Sequence, residues 1–141
     1  MSRDPDCLFC KIIAGEIPSF KVYEDDDAFA FMDINPIAPG HTLVIPKNHH
    51  ENLLEIAPED LAAVQRASQK VAGMIMAALK PAGIAVLQLN GRGANQVVMH
   101  YHVHLVPRNR PDDGVTCLEW ELEPGDMAEI AKVAAKIAAA G

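Results

Sequence analysis

The chain has 141 residues, half of them apolar and 22% charged, with a formal net charge of −7 at pH 7. That length can bury a core without disulfide support, and the composition is that of a globular chain rather than a disordered one. The acidic balance argues against an extended nucleic-acid surface, which needs clustered Lys and Arg, but it leaves room for a small phosphorylated ligand in one local pocket. Uncharged apolar runs fall far short of the roughly 18 residues of a membrane span. Arg3, Asp4 and Asp6 stand where a signal peptide would have its apolar core, so a cytoplasmic protein is expected, with no membrane association.

In chain order, Cys7 to Ala14 reads as one or two helical turns, ended by Gly15 and barred from continuing by Pro18. Phe20 to Glu24 and Ala28 to Met32 read as two strands of a hairpin around Asp25, Asp26 and Asp27, with a third strand from His41 to Ile45 after the turn Asn35 to Gly40. From Pro58 to about Leu79, the residues Leu61, Val64, Ala67, Val71, Met74, Ile75 and Leu79 recur at helical spacing, with proline near the start. This is the main helix, expected to pack on the sheet. Pro81 and Gly83 end it, and strands Ala85 to Leu89 and His102 to Val106 flank the loop Asn90 to Asn95. Val115 to Leu122 looks strand-like and carries Trp120, the sole tryptophan, expected to be buried. A last helix from Asp126 to about Ala139 places Met127, Ile130, Val133, Ala134 and Ile137 on one face. The elements amount to a meander of three strands, one long helix, two further strands and a C-terminal helix.

The chemistry is sought at His100, His102 and His104, within the run Met99 to Arg108. On a strand, alternate side chains share a face, so the three imidazoles would line one side and Tyr101, Val103 and Leu105 the other. Such rings serve as nucleophile, acid, base or metal ligand. A solvated strand face is the plainer reading, and a catalytic metal on all three is another. Against the latter, parallel side chains of one flat strand do not converge easily on a single ion.

Cys7, Cys10 and Cys117 are an odd number, and in a cytoplasmic chain metal binding suits the Cys7-x-x-Cys10 pair better than a structural disulfide. The pair is only half a tetrahedral site. Two buried thiols or a redox pair are the alternatives, although the redox pair lacks its usual βαβ setting. Gly91 and Gly93 allow the Asn90 to Asn95 loop to turn tightly and bring N–H groups near an anion, or simply to form a hairpin. Arg92 could meet a distal phosphate or remain an exposed cation. Asp33 stands at a strand end, where a carboxylate can accept hydrogen bonds from ribose hydroxyls. Phe31 and Ile34 beside it could wall a base or fill the core.

The spacing His-φ-His-φ-His-φ-φ, together with Phe31 to Ile34, Pro39 to Lys47 and Asn90 to Arg108, closely resembles the histidine triad (HIT) family of nucleotidyl hydrolases and transferases. The likeness covers residues 7 to 110 and implies one HIT-like domain over 1–141, with 111–141 as a C-terminal extension. It also implies an α+β fold, an antiparallel sheet of about five strands with one long central helix and a C-terminal helix, in a two-fold homodimer whose sheets join across the interface. By this resemblance His102 is the nucleophile, which attacks an α-phosphorus to give a covalent nucleotidyl-histidine that water opens. His104 contacts the phosphate, Asn90 and Gln96 bond the phosphate and leaving-group region, Asp33 holds the ribose, and Phe31 and Ile34 flank the base. Histidine rather than glutamine at the third triad position favours hydrolysis.

The implied activity is cleavage of phosphoramidate-type purine nucleotide derivatives to a nucleoside monophosphate. The alternatives are a dinucleoside polyphosphate hydrolase or a nucleotide-binding regulator with incidental catalysis. Val97 follows Gln96 where many members carry a hydroxyl residue, and Asn95 replaces the usual glycine. Val97 can neither donate to nor accept from a leaving group. Some members hold structural zinc at positions matching Cys7, Cys10, His49 and His100, with His49 preferred to His50 by that pattern. No organic cofactor is implied.

Overall fold

The computed structural model describes residues 2–110, 113 and 123–141. The strand predicted over Val115 to Leu122, with Trp120 and Cys117, lies outside the described residues. The elements are α1 (Leu8–Ile13), β1 (Lys21–Glu24), β2 (Ala28–Met32), β3 (Thr42–Pro46), α2 (Pro58–Leu79), β4 (Gly83–Gln88), a 3-10 turn over Arg92–Ala94, β5 (Val103–Arg108) and α3 (Met127–Ala140). The five strands form one antiparallel sheet in the order β1-β2-β3-β5-β4, so the fold is α+β as expected.

The first three strands form the expected meander, and the fifth then enters beside the third. Leu43 pairs with His104 on one side of β5, and Leu87 pairs with His104 on the other. The triad run thus leads into a strand flanked on both sides, where backbone groups are satisfied and position is fixed.

Side-chain alternation divides the core in two. On one face of the sheet Ala28, Ala30, Val44, Tyr101, Val103 and Leu105 meet Val64, Ala67, Val71 and Ile75 of α2. On the other, Phe29, Phe31, Leu43 and Ile45 meet Cys7, Phe9, Cys10 and Ile12 around α1. Strand β2 presents alanines to the long helix and phenylalanines to the short one. Small residues let α2 settle close to the strands, and a larger side chain at fully buried Ala30 would cost about 1–3 kcal/mol by overpacking.

Helix α2 begins with Pro58 in its first turn and carries Glu59 and Asp60 there, where the helix dipole favours negative charge. It ends at Lys80, which adopts a left-handed conformation at φ 52°. The face it buries is narrower than the periodicity suggested, because Met74 and Leu79 remain exposed. Gly40, between β2 and β3, has φ +93°, and a Cβ there would lie 2.5 Å from Leu79 and 2.9 Å from Pro107. The conformation favours glycine at that turn, and any side chain there would also have to displace Leu79 and crowd the Pro107 ring.

The C-terminal helix α3 forms where predicted, with Asp126 accepting hydrogen bonds from the N–H groups of Ala128 and Glu129. Its apolar residues Met127, Ile130, Val133 and Ile137 are exposed, and no α3 residue is buried.

Candidate active site and metal centre

The three triad histidines do not all stand on the strand. Only His104 belongs to β5, while His100 and His102 lie on the irregular segment before it. Alternation nevertheless persists, since Tyr101, Val103 and Leu105 enter the core beneath α2. The three imidazoles turn to the α1 face, where Phe9 packs edge-on against His100 and His102, with ring centroids 5.9 and 5.2 Å away.

Backbone groups decide the tautomer of each ring. His102 Nδ1 lies 2.7 Å from the carbonyl of His100, so Nδ1 carries the proton and Nε2 keeps its lone pair. His100 Nε2 lies 2.9 Å from the carbonyl of Pro46, so that nitrogen donates and Nδ1 keeps its lone pair. His41, buried beside them, accepts the N–H of Ile37 at Nδ1, 3.1 Å away. Its Nε2–H therefore donates to His104 Nδ1 at 2.9 Å, which leaves the proton of His104 on Nε2. The result is a bare nitrogen on His102 beside an N–H on His104, with ring centroids 4.9 Å apart.

Burial keeps these rings neutral. It holds His104 down at about 4, with the neighbouring His102 and His41 adding to the effect. Burial also lowers His102, against the opposing pull of the His100 carbonyl and the Asp33 charge. His41 is lowered by burial as well, despite Asp33, whose Oδ2 is 3.5 Å from its Nε2.

His102 and His104 open onto a cavity of about 370 Å³. Asp33, Ile34, Phe31, Asn95 and Val97 also line it. Phe31 is a buried wall shared with the core, whereas Ile34 is 76% exposed at the mouth. Asp33 Oδ1 accepts the N–H of Asn35, which fixes the carboxylate at the end of β2. A mostly apolar cleft with a few converging polar groups is the usual form of a small-molecule site.

The glycine loop beside the cavity is largely turned on itself. Gln96 is buried, its Oε1 accepts the N–H of Gly91, and its Nε2 donates to the carbonyls of Glu51 and Val98. Asn90 exchanges two hydrogen bonds with Gln88 and accepts the N–H of Leu53. The N–H groups of Gly91, Ala94, Asn95 and Gln96 are all spent within the loop, so these four are not offered to an anion. Arg92 is exposed and is not among the residues lining the cavity.

At the other end of the run the ligand atoms of Cys7, Cys10, His49 and His100 all lie within 4.8 Å of one another. The nitrogens Nδ1 of His49 and His100 are 3.2 Å apart, and Cys10 Sγ is 3.4 Å from the first and 3.6 Å from the second. Cys7 Sγ is 3.4 Å from His100 Nδ1. Bonds of about 2.0–2.1 Å to nitrogen and 2.3 Å to sulfur make tetrahedral edges of about 3.3 Å between nitrogens and about 3.5 Å between nitrogen and sulfur. The four residues fit a zinc ion.

Burial pushes the Cys10 thiol up to about 11 and holds His100 down at about 4, so without a cation both groups stay neutral and a buried thiolate is penalised. A divalent ion reverses the penalty on the thiolates. His50, the alternative ligand, turns away and places Nε2 2.6 Å from Asp60 Oδ2. The catalytic-metal arrangement on three triad histidines is not formed, because His100 gives its nitrogens to Pro46 and to the cysteine cluster.

His41 is the residue that sequence reasoning passed over. It stood in the Gly-His-Thr segment as the first residue of a strand, and only the pairing of β3 with β5 brings it against His104, 63 positions away.

The antiparallel sheet, the histidine run and the cleft define a histidine triad protein. Residues 14–111 match the HIT domain, and the chain belongs to that family. It is 43% identical over 136 residues to Protein hit of Bacillus subtilis, covering 93% of each. It is 38% identical over 141 residues to the adenosine 5′-monophosphoramidase HNT1 of Candida albicans, covering 97% of this chain and 92% of that one. The crystal structure of a HIT family protein from Bacillus subtilis superposes with a TM-score of 0.85 at 41% identity, covering 94% of this chain and 95% of that one. A zinc-bound histidine triad family protein from Mycobacterium smegmatis superposes at 0.73 with 33% identity, covering 96% and 98%.

Proposed function

We propose that this protein hydrolyses purine nucleotide derivatives at the α-phosphate, of the phosphoramidate type, through a covalent nucleotidyl-histidine. The observation that carries the reading is the unprotonated Nε2 of His102, left free because the His100 carbonyl takes the Nδ1 proton, in a ring that lines the cavity. A neutral imidazole needs no stronger base to attack phosphorus. Nε2 bonds to the α-phosphorus as the bond to the leaving amine breaks, and the departing nitrogen takes a proton from water. A second water then displaces Nε2 and releases the nucleoside monophosphate.

His104, through Nε2–H, donates to the phosphate oxygens as charge gathers there. Asp33 accepts from the ribose hydroxyls, and Phe31 and Ile34 flank the base. Asn90 and Gln96 serve nucleotide binding by holding the loop that presents Asn95 and Val97. Zinc at Cys7, Cys10, His49 and His100 is structural in this reading, with all four positions filled by protein. The HNT1 relative, an adenosine 5′-monophosphoramidase by name, supports the substrate class. The same reading expects a homodimer acting in the cytoplasm. Among the described residues no helix is long and apolar enough to cross a membrane.

Val97 favours a second reading, a dinucleoside polyphosphate hydrolase. It is 80% exposed, lines the cavity and offers no hydroxyl, which suits a leaving group that departs as a stable anion. Turnover of adenosine 5′-phosphoramidate and diadenosine polyphosphates, measured side by side with His102→Ala as control, tests both. AMP release that drops by about a thousandfold or more in the variant is expected. AMP release unchanged in the variant would end the nucleophile assignment, and nucleotide binding without turnover would favour a regulatory protein.

A further inference from the structure

The two histidines of the cysteine cluster are held in different ways. His100 is fixed at both nitrogens, with Nε2–H on the Pro46 carbonyl. His49 has no such acceptor at Nε2 among the described residues, so its aim depends on the backbone to either side. Both neighbours are gripped by one carboxylate. Asp60 Oδ2 lies 2.6 Å from His50 Nε2 and 3.1 Å from Asn48 Nδ2.

The rest of that short loop is tied as well. The His49 N–H donates to the Ser2 carbonyl at 2.8 Å, and the His50 carbonyl accepts the Tyr101 N–H at 2.7 Å. Asp60 is buried in the first turn of α2, where the helix dipole supports its charge. Its hydrogen bonds run to the loop rather than to the helix N–H groups, so it does not cap α2.

We infer that Asp60 is a positioning residue for metal binding, aiming His49 Nδ1 at the cluster by clamping the residues immediately before and after it. The inference rests on the zinc reading of Cys7, Cys10, His49 and His100. Outer partners that orient a ligand commonly change metal affinity by about 10–100-fold. His50 thus contributes to the site as the clamp's second handle and not as a ligand.

The test is Zn²⁺ affinity of the full chain by competition with a chromophoric chelator, paired with the absorption spectrum of the Co²⁺-loaded protein. Asp60→Ala is expected to bind Zn²⁺ about 10–100-fold more weakly. Asn48→Ala and His50→Ala, each removing one handle, should show smaller losses, and the Co²⁺ spectra should keep their thiolate bands. Unchanged affinity in Asp60→Ala would overturn the clamp while leaving the metal site standing. If Asp60→Ala does not fold, unchanged affinity in both single-handle variants overturns it equally. A wild-type chain that binds no equimolar Zn²⁺ and gives no thiolate band with Co²⁺ would overturn the zinc reading itself.

Discussion

The two ends of the histidine run are built for opposite purposes. At His100, Nδ1 and both nearby sulfurs point into a cluster packed against Phe9, while Nε2–H is taken by the Pro46 carbonyl. At His104 the ring is reached from behind by His41 and opens forward onto a 370 Å³ cavity. His102 sits between them and takes something from each, its orientation from the His100 carbonyl and its access from the cavity. In the proposed reading, identical side chains at alternate positions divide into one structural, one reactive and one charge-stabilising group. The division is made by backbone carbonyls and neighbours, not by the residue type.

Metal removal separates the two ends most strongly. Chelation or Cys10→Ser should lower the unfolding midpoint sharply, because free metal at a thousand times its Kd contributes about 4 kcal/mol to the folded state. Differential scanning calorimetry with and without Zn²⁺ measures this, and an unchanged midpoint would refute the structural role. His41→Ala should do the reverse. Losing the donor to His104 Nδ1 frees the ring to turn, so kcat should fall by about 100-fold with little change in the Zn²⁺-dependent midpoint. Steady-state kinetics with full metal loading checks it.

Acid sharpens the same contrast. His104 titrates near 4 in the folded chain and near 6.5 when unfolded, so between those values the unfolded state binds more protons. Its contribution is whole above pH 6.5 and is lost as the pH falls toward about 4. The denaturant midpoint should therefore drop over that window, and His104→Gln should drop less steeply. The smallest effect is at the cavity rim. Val97→Ser offers one hydrogen bond of about 1 kcal/mol to a leaving amine, so the phosphoramidate to polyphosphate rate ratio should rise about fivefold.

Much of this was legible in the residues because it follows from short-range pattern. Helical spacing located α2, alternation sent Tyr101, Val103 and Leu105 inward, and the triad spacing with Cys7-x-x-Cys10 pointed to both ends of the run. What remained hidden depends on contacts distant in sequence. The insertion of β5 between β3 and β4 brings His41 to His104, and no local signal announces it. The glycine loop left an anion cradle and a plain hairpin both open, because glycine content reports freedom to turn and not where the N–H groups point. Buried Gln96 takes the Gly91 N–H and closes the loop on itself. The choice between His49 and His50 likewise waited on Asp60, which draws His50 away from the cysteines.

In the proposed mechanism His102 alone of the three is the nucleophile. Rapid-quench mass spectrometry of the enzyme turning over adenosine 5′-phosphoramidate tests it most directly. An adenylyl adduct on the peptide containing the run, assigned by fragmentation to His102 and absent from His102→Ala, is the expected result. An adduct on His100 or His104, or turnover in His102→Ala at the wild-type rate, would contradict it.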